Sequence, residues 1–139
     1  MRRAPAAAFA LLLVAYAAPT MAQDIEKKRV FFASGESSAT VKGSIQGYEV
    51  VDYVLGARAG QTMGVTMKTS NTSSYFNVLP PGSSDAAIFI GSTSGDEWTG
   101  ILPADGDYAV RVYLMRNAAR RDEKADYTLT FRITAAAEK

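Results

Sequence analysis

Two runs near the C-terminal end constrain the fold more than anything else in the sequence. Tyr108, Val110, Val112 and Leu114 alternate with small or polar residues, and so do Tyr127, Leu129, Phe131 and Ile133. A period of two places each set on one face of a β-strand, and two such apolar faces have to be buried together. Between them lies "YLMRNAARRDEKADYTL", which carries Arg116, Arg120 and Arg121. Two residues would close a tight hairpin, so this connection is far longer than a turn requires.

The rest of the chain has the same texture. Ala39, Val41, Gly43 and Ile45 alternate with polar neighbours, as do Met63, Val65 and Met67, and Val30-Phe31-Phe32 is a short β-prone start. From Tyr48 to Leu55 the run is rich in β-formers, but its apolar parity switches between Val50 and Val51. That switch means either a bulge or a strand buried on both faces. "ARAGQ", "TSNTSS", the two prolines of "YFNVLPPG" and Asp105-Gly106 are turn signals between such runs. Helical periodicity is absent beyond the first segment. The expected fold is all-β: an antiparallel, jelly-roll-like β-sandwich of about eight strands.

The N-terminus has a basic start at Arg2-Arg3, an apolar run from Ala6 to Ala18 and a small-residue cleavage site at Thr20-Met21-Ala22. These are the parts of a secretory signal peptide over residues 1–22, too short to span a bilayer and ended by Pro19. Residues 23–139 then form a single sandwich domain, large enough to bury roughly 65% of its unfolded surface. Without Arg2 and Arg3 the net charge moves from +1 to about −1, which argues against a nucleic-acid partner. Cysteine and histidine are both absent. Their absence removes disulfides, Ser-His-Asp and Cys-His catalysis, nearly all zinc chemistry and a neutral-pH imidazole base.

Carboxylates alone can run glycoside hydrolysis, which makes Asp96-Glu97 and Asp105 with Asp107 candidate pairs. Both sit beside glycines at turn signals, where Asp is favoured for its own backbone hydrogen bonds. Trp98 lies in a strand-like run and reads first as a packing residue. Asn71-Thr72-Ser73 matches a glycosylation sequon but reads more simply as a polar turn. Tyr48 follows a Gly turn near one end of the sandwich. If Asn117 caps a helical turn through Ala118 and Ala119, Arg116 and Arg120 stand four apart and project on neighbouring faces of the loop. A solvated basic loop balanced by Asp122 and Glu123 is the plain alternative, and the loop's length weighs against it.

The stretches "SSATVKGSIQGYEVVDYVLGARAGQ", "YFNVLPPG", "LPADGDYAVRVYLMRNAAR" and "DYTLTFRI" resemble the periplasmic inhibitors of g-type lysozyme. "GDYAVRVY" alone is also similar to bacterial pre-peptidase C-terminal domains. The resemblance implies a β-sandwich without cofactor or catalytic activity, whose protein partner is a g-type lysozyme. It implies that Tyr48 matches the tyrosine after the Gly turn, and that Arg116 and Arg120 match the arginines of "RNxAR" around Asn117, in what the resemblance makes the last hairpin. These residues would occlude the enzyme's substrate cleft. Val50 stands where a second aromatic is expected, and Ala118 where an acidic residue can occur. The rival expectation is a non-catalytic carbohydrate- or envelope-binding module with Trp98, Tyr113 or Tyr75 lining a sugar surface. Oligomeric state is left open. Protein exported to the periplasm should start at Gln23, which its intact mass will check; a mass that retains Met1 would refute the export signal.

Overall fold

The computed structural model describes residues 13–15 and 25–135. The Ala22–Gln23 junction and most of the signal segment lie outside the described residues, as does the end of the "TAAAEK" tail. The alternating runs become nine strands among the described residues: β1 (Ile25–Arg29), β2 (Ser38–Gln46), β3 (Val50–Ala57), β4 (Thr62–Thr69), β5 (Ser74–Leu79), β6 (Phe89–Ile90), β7 (Glu97–Ile101), β8 (Gly106–Leu114) and β9 (Lys124–Thr134). Two short helices, α1 (Gly91–Ser94) and α2 (Arg116–Arg120), interrupt them. One sheet has the order β1-β3-β8-β5-β6 and the other β2-β9-β4-β7. From β2 to β5 the chain changes sheet at every connection, which is the wrapping expected of the sandwich.

The ninth strand is β1, and it is also the exception to antiparallel pairing. It runs parallel to β3, with Ile25 opposite Val50 and Arg29 opposite Val54. Its sequence, IEKKR, has no apolar alternation to reveal it, and four of its five residues are exposed. Charged residues on an edge strand discourage further pairing, so this composition suits its place. The apolar start expected at Val30-Phe31-Phe32 divides: Val30 is buried, whereas Phe31 is exposed.

In β3 the parity switch reflects burial on both faces. Val50, Val51, Asp52 and Tyr53 are buried in succession, and pairing with β8 runs unbroken from Val51 opposite Val112 to Ala57 opposite Gly106. No bulge is needed. The strand lies between β1 and β8, and Asp52 on its outer side accepts Arg111 Nε at 2.8 Å and Nη2 at 2.9 Å.

β8 and β9 do not form a hairpin. β8 pairs with β3 and β5, β9 with β2 and β4, so the two strands lie in opposite sheets. The expected apolar faces are nevertheless buried together: seven of the eight residues are core, and Ile133 packs against it half-buried. The long connection therefore has an architectural cause, because sheets stacked about 10 Å apart cannot be joined by a two-residue turn.

At the centre of the core the Tyr53 and Tyr127 hydroxyls share a hydrogen bond of 2.7 Å, with the rings edge-to-face at 6.2 Å. Tyr53 also packs against Phe131 at 5.9 Å. Burial, reinforced by Tyr53, pushes the Tyr127 phenol far above its ordinary range. Gly43 leaves room for the pair: a Cβ there would come within 2.5 Å of the Tyr127 hydroxyl and 2.8 Å of that of Tyr53. Leu129→Ala should cost about 2–5 kcal/mol in a urea titration, as a fully buried large-to-small change does. Gly43→Ala should cost about 1–3 kcal/mol in the same assay through overpacking. A value near zero for Leu129→Ala would contradict the register of β9.

Candidate functional site: three loops at one end of the sandwich

The pairing register brings three connections to one end. Gln46 at the end of β2 lies opposite Lys124, Thr69 at the end of β4 lies opposite Tyr127, and Ser74 at the start of β5 lies opposite Leu114. The β2–β3 turn carries Tyr48, the β4–β5 turn carries Asn71, and the β8–β9 crossing carries the arginines.

The crossing is short-helical because its middle is apolar. Helix α2 turns Ala118 and Ala119, both buried, into the end of the core, and leaves Arg116, Asn117 and Arg120 exposed. The helix plugs the gap between the sheets with two methyl groups. Ala118, the departure from the family pattern, is one of them. The cap also differs from expectation: Met115 is the N-cap residue and makes no side-chain cap bond. Asn117 sits inside the first turn, where its Oδ1 accepts the Ala118 N–H at 2.9 Å and satisfies a donor the helix leaves open.

The three loops are tied to one another. Gly47 N–H donates to the Glu123 carbonyl at 2.9 Å, and Met115 N–H to the Ser73 carbonyl at 2.9 Å. Asn71 closes its own turn by accepting Ser73 N–H at 2.9 Å, while its amide donates to Glu123 Oε1 at 3.0 Å and to the Lys124 carbonyl at 3.2 Å. The other oxygen of Glu123 takes Arg121 Nε at 2.7 Å. These contacts, Asn71 first and Arg121 second, hold the Glu123 carboxyl below the usual carboxylate range.

The three arginines therefore differ. Arg121 is engaged by Glu123, whereas among the described residues Arg116 and Arg120 make no side-chain hydrogen bond or ion pair. They stand four apart on the exposed side of α2. Tyr48 lies in the turn itself, two positions before β3 begins, and is 56% exposed. It walls a shallow cavity of about 210 Å³ with Asn77, Arg111 and Tyr113. Val50, beside it, is buried rather than presented.

The other candidates are structural. Asp105 accepts the Ala59 N–H at 2.7 Å, Asp107 pairs with exposed Arg29 at 2.7 Å, and among the described residues no acidic group is placed to hold a metal ion. Trp98 is half-buried against Phe89 at 6.2 Å. A groove of about 660 Å³ lies over β1, β3 and β8, and the Arg29–Asp107 and Arg111–Asp52 pairs within it satisfy one another. Sequence reasoning missed the tying residues Gln46, Asn71 and Glu123. Only the turn signal at Asn71 hinted at one of them.

No protein-family model matches the chain. Its fold places it in the class of small all-β sandwiches built from two sheets. The crystal structure of Aeromonas hydrophila PliG, a periplasmic inhibitor of g-type lysozyme, aligns with a TM-score of 0.74 and 40% identity, over 79% of this chain and 97% of that one. Its Salmonella Typhimurium counterpart aligns with a TM-score of 0.60 and 30% identity, over 78% and 98%. The inhibitor of g-type lysozyme from Escherichia coli (strain K12) is 30% identical over 126 residues, which is 89% of this chain and 93% of that protein. The chain belongs to the PliG family of inhibitors of g-type lysozyme. These relatives are named as inhibitors, not as enzymes, and no described helix is long and apolar enough to cross a membrane.

Because the Glu123 carboxyl is lowered in the folded state, its contribution to loop anchoring is present above its ordinary value near 4.5 and is lost as pH falls through the lower folded value. Carboxyl NMR titration should place the Glu123 midpoint below 4.5, and Asn71→Ala and Arg121→Ala should each raise it. No rise in either variant would refute the assigned causes.

Proposed function

We propose that this protein is a periplasmic inhibitor of g-type lysozyme, and that it occludes the enzyme's substrate cleft with Tyr48, Arg116, Asn117 and Arg120. The observation that carries the assignment of residues is the pair of exposed guanidinium groups that have no side-chain partner among the described residues, Arg116 and Arg120, held on one face of α2 while Ala118 and Ala119 fix its other face in the core. Family membership supports the choice of enzyme.

The chemistry fits such a target. A glycoside hydrolase cleft presents carboxylates where positive charge develops, and guanidinium groups pair with carboxylates through forked, charge-assisted hydrogen bonds. Tyrosine and arginine are also enriched among the residues that dominate binding energy at interfaces. No covalent step or cofactor is required, because a filled cleft excludes the polysaccharide.

Arg116→Ala and Arg120→Ala should each weaken inhibition by about 2–5 kcal/mol, much of it from leaving the enzyme's charge unpaired. Their folding stability should stay within about 0.5 kcal/mol, since neither side chain supports the core. Arg121→Ala is the control: its exposed pair with Glu123 should be worth below about 1 kcal/mol. Tyr48→Ala should also weaken inhibition. Inhibition constants and melting curves for the four variants, with a pull-down on bare peptidoglycan, separate the readings. Parent-like inhibition by the Arg116 and Arg120 variants would refute the cleft assignment, and peptidoglycan binding without inhibition would favour a carbohydrate-binding module.

A further inference from the structure

Tyr48 and the two arginines come from connections far apart in the chain, so neither loop alone sets the distance between them. The contact between the loops does. Gln46 Nε2 donates to Asp122 Oδ2 at 3.1 Å and lies 3.4 Å from the Asp122 carbonyl oxygen. Gly47 N–H donates to the Glu123 carbonyl at 2.9 Å, and a Cβ on Gly47 would stand only 2.7 Å from Asp122 Oδ1. Gly47 has a φ of 60°, so the residue directly before Tyr48 is pressed against the carboxylate in a conformation that suits glycine.

Asp122 is itself unusual. With a φ of 56° it is the one non-glycine residue with positive φ among the described residues. Aspartate tolerates this region better than most residues but does not prefer it, and such outliers persist where the surroundings hold them. Here the holding contacts are the Ala119 carbonyl, which accepts Asp122 N–H at 3.0 Å, and the Gln46 amide. The backbone reversal at Asp122 is what returns the chain from α2 to β9 with its carboxylate facing the tyrosine turn.

We infer that Gln46 and Asp122 are positioning residues that latch the Tyr48 turn to the arginine crossing, so that both parts of the lysozyme-facing surface are presented at one fixed spacing. This rests on the cleft assignment of the preceding subsection. The latch acts through pre-organisation: a surface already in its bound arrangement loses less freedom on docking, and apparent affinity falls in proportion to the fraction of molecules that hold the competent arrangement. Neither residue needs to touch the enzyme.

Three variants separate the latch from simple folding. Asp122→Gly keeps the positive φ and removes the carboxylate, Asp122→Asn keeps both the acceptor and a tolerated φ, and Gln46→Ala removes the donor from the other side. Each is measured for lysozyme inhibition, melting temperature and hydrogen exchange at the Gly47 amide, with Arg116→Ala alongside. Asp122→Gly and Gln46→Ala should weaken inhibition about tenfold, the loss expected if the competent arrangement falls to roughly a tenth of the population. Their melting temperatures should stay at the parent value while Gly47 exchanges faster, and Asp122→Asn should behave as the parent. Parent-like inhibition in Asp122→Gly and Gln46→Ala, while Arg116→Ala inhibits poorly, would overturn the latch and leave the cleft assignment standing. Weakened inhibition matched by a general fall in melting temperature would make the residues merely structural and overturn it too. If Arg116→Ala also inhibits like the parent, the surface to be positioned is absent and both readings fall.

Discussion

The structure depends on one burial event, the closing of the sheet that carries β3 and β8 over the sheet that carries β9. With no cysteine to staple the chain, stability has to come from that contact and from what packs around it. The Tyr53–Tyr127 hydroxyl pair shows how closely the layers are matched. Two polar atoms are taken into the core, where each would be costly alone, and each satisfies the other at 2.7 Å. That solution needs a glycine at position 43, so one small residue on β2 is dictated by two large ones on β3 and β9.

The same sheet-to-sheet crossing builds the candidate site. A chain leaving β8 has to traverse the thickness of the sandwich to enter β9, and α2 does so with two buried alanines facing inward. Once Ala118 and Ala119 are fixed, helical geometry determines where Arg116, Asn117 and Arg120 point. Core packing and presentation of the site are therefore properties of one five-residue segment. Asn71 braces it from the neighbouring turn by its hydrogen bond to Glu123, so the arginines stand on a supported helix rather than on a free loop.

The sandwich was legible because β4, β8 and β9 carry unbroken period-two faces, and no alternative element buries such faces. β1 was not legible, since an edge strand with charges at Lys27, Lys28 and Arg29 has no face to alternate. The separation of β8 and β9 into different sheets was also hidden: alternation says that two faces meet, but not whether they meet side by side or across a core. Of the site, the arginines and Tyr48 stood out through residue type and resemblance. Their supports did not, because Gln46, Asn71 and Glu123 are ordinary polar residues in sequence and acquire meaning only when three distant turns converge.

Local energetics account for Arg120, which sits in the last turn of α2 where the helix dipole favours a cation, but not for Arg116. Arg116 lies in the first turn of α2, which contains no acidic residue, and the positive end of a helix disfavours a cation there. Arg120, four residues on, adds like-charge repulsion of about 0.2–0.5 kcal/mol along the same face. Arg121, by contrast, follows the rules of a stable surface and pairs with Glu123. Two adjacent arginines thus occupy opposite electrostatic situations, Arg121 neutralised by Glu123 and Arg120 left without a side-chain partner among the described residues. Under the proposed cleft assignment, the small local cost at Arg116 is what a surface shaped for an external carboxylate should show, because any internal partner would have to be displaced before the enzyme could be engaged.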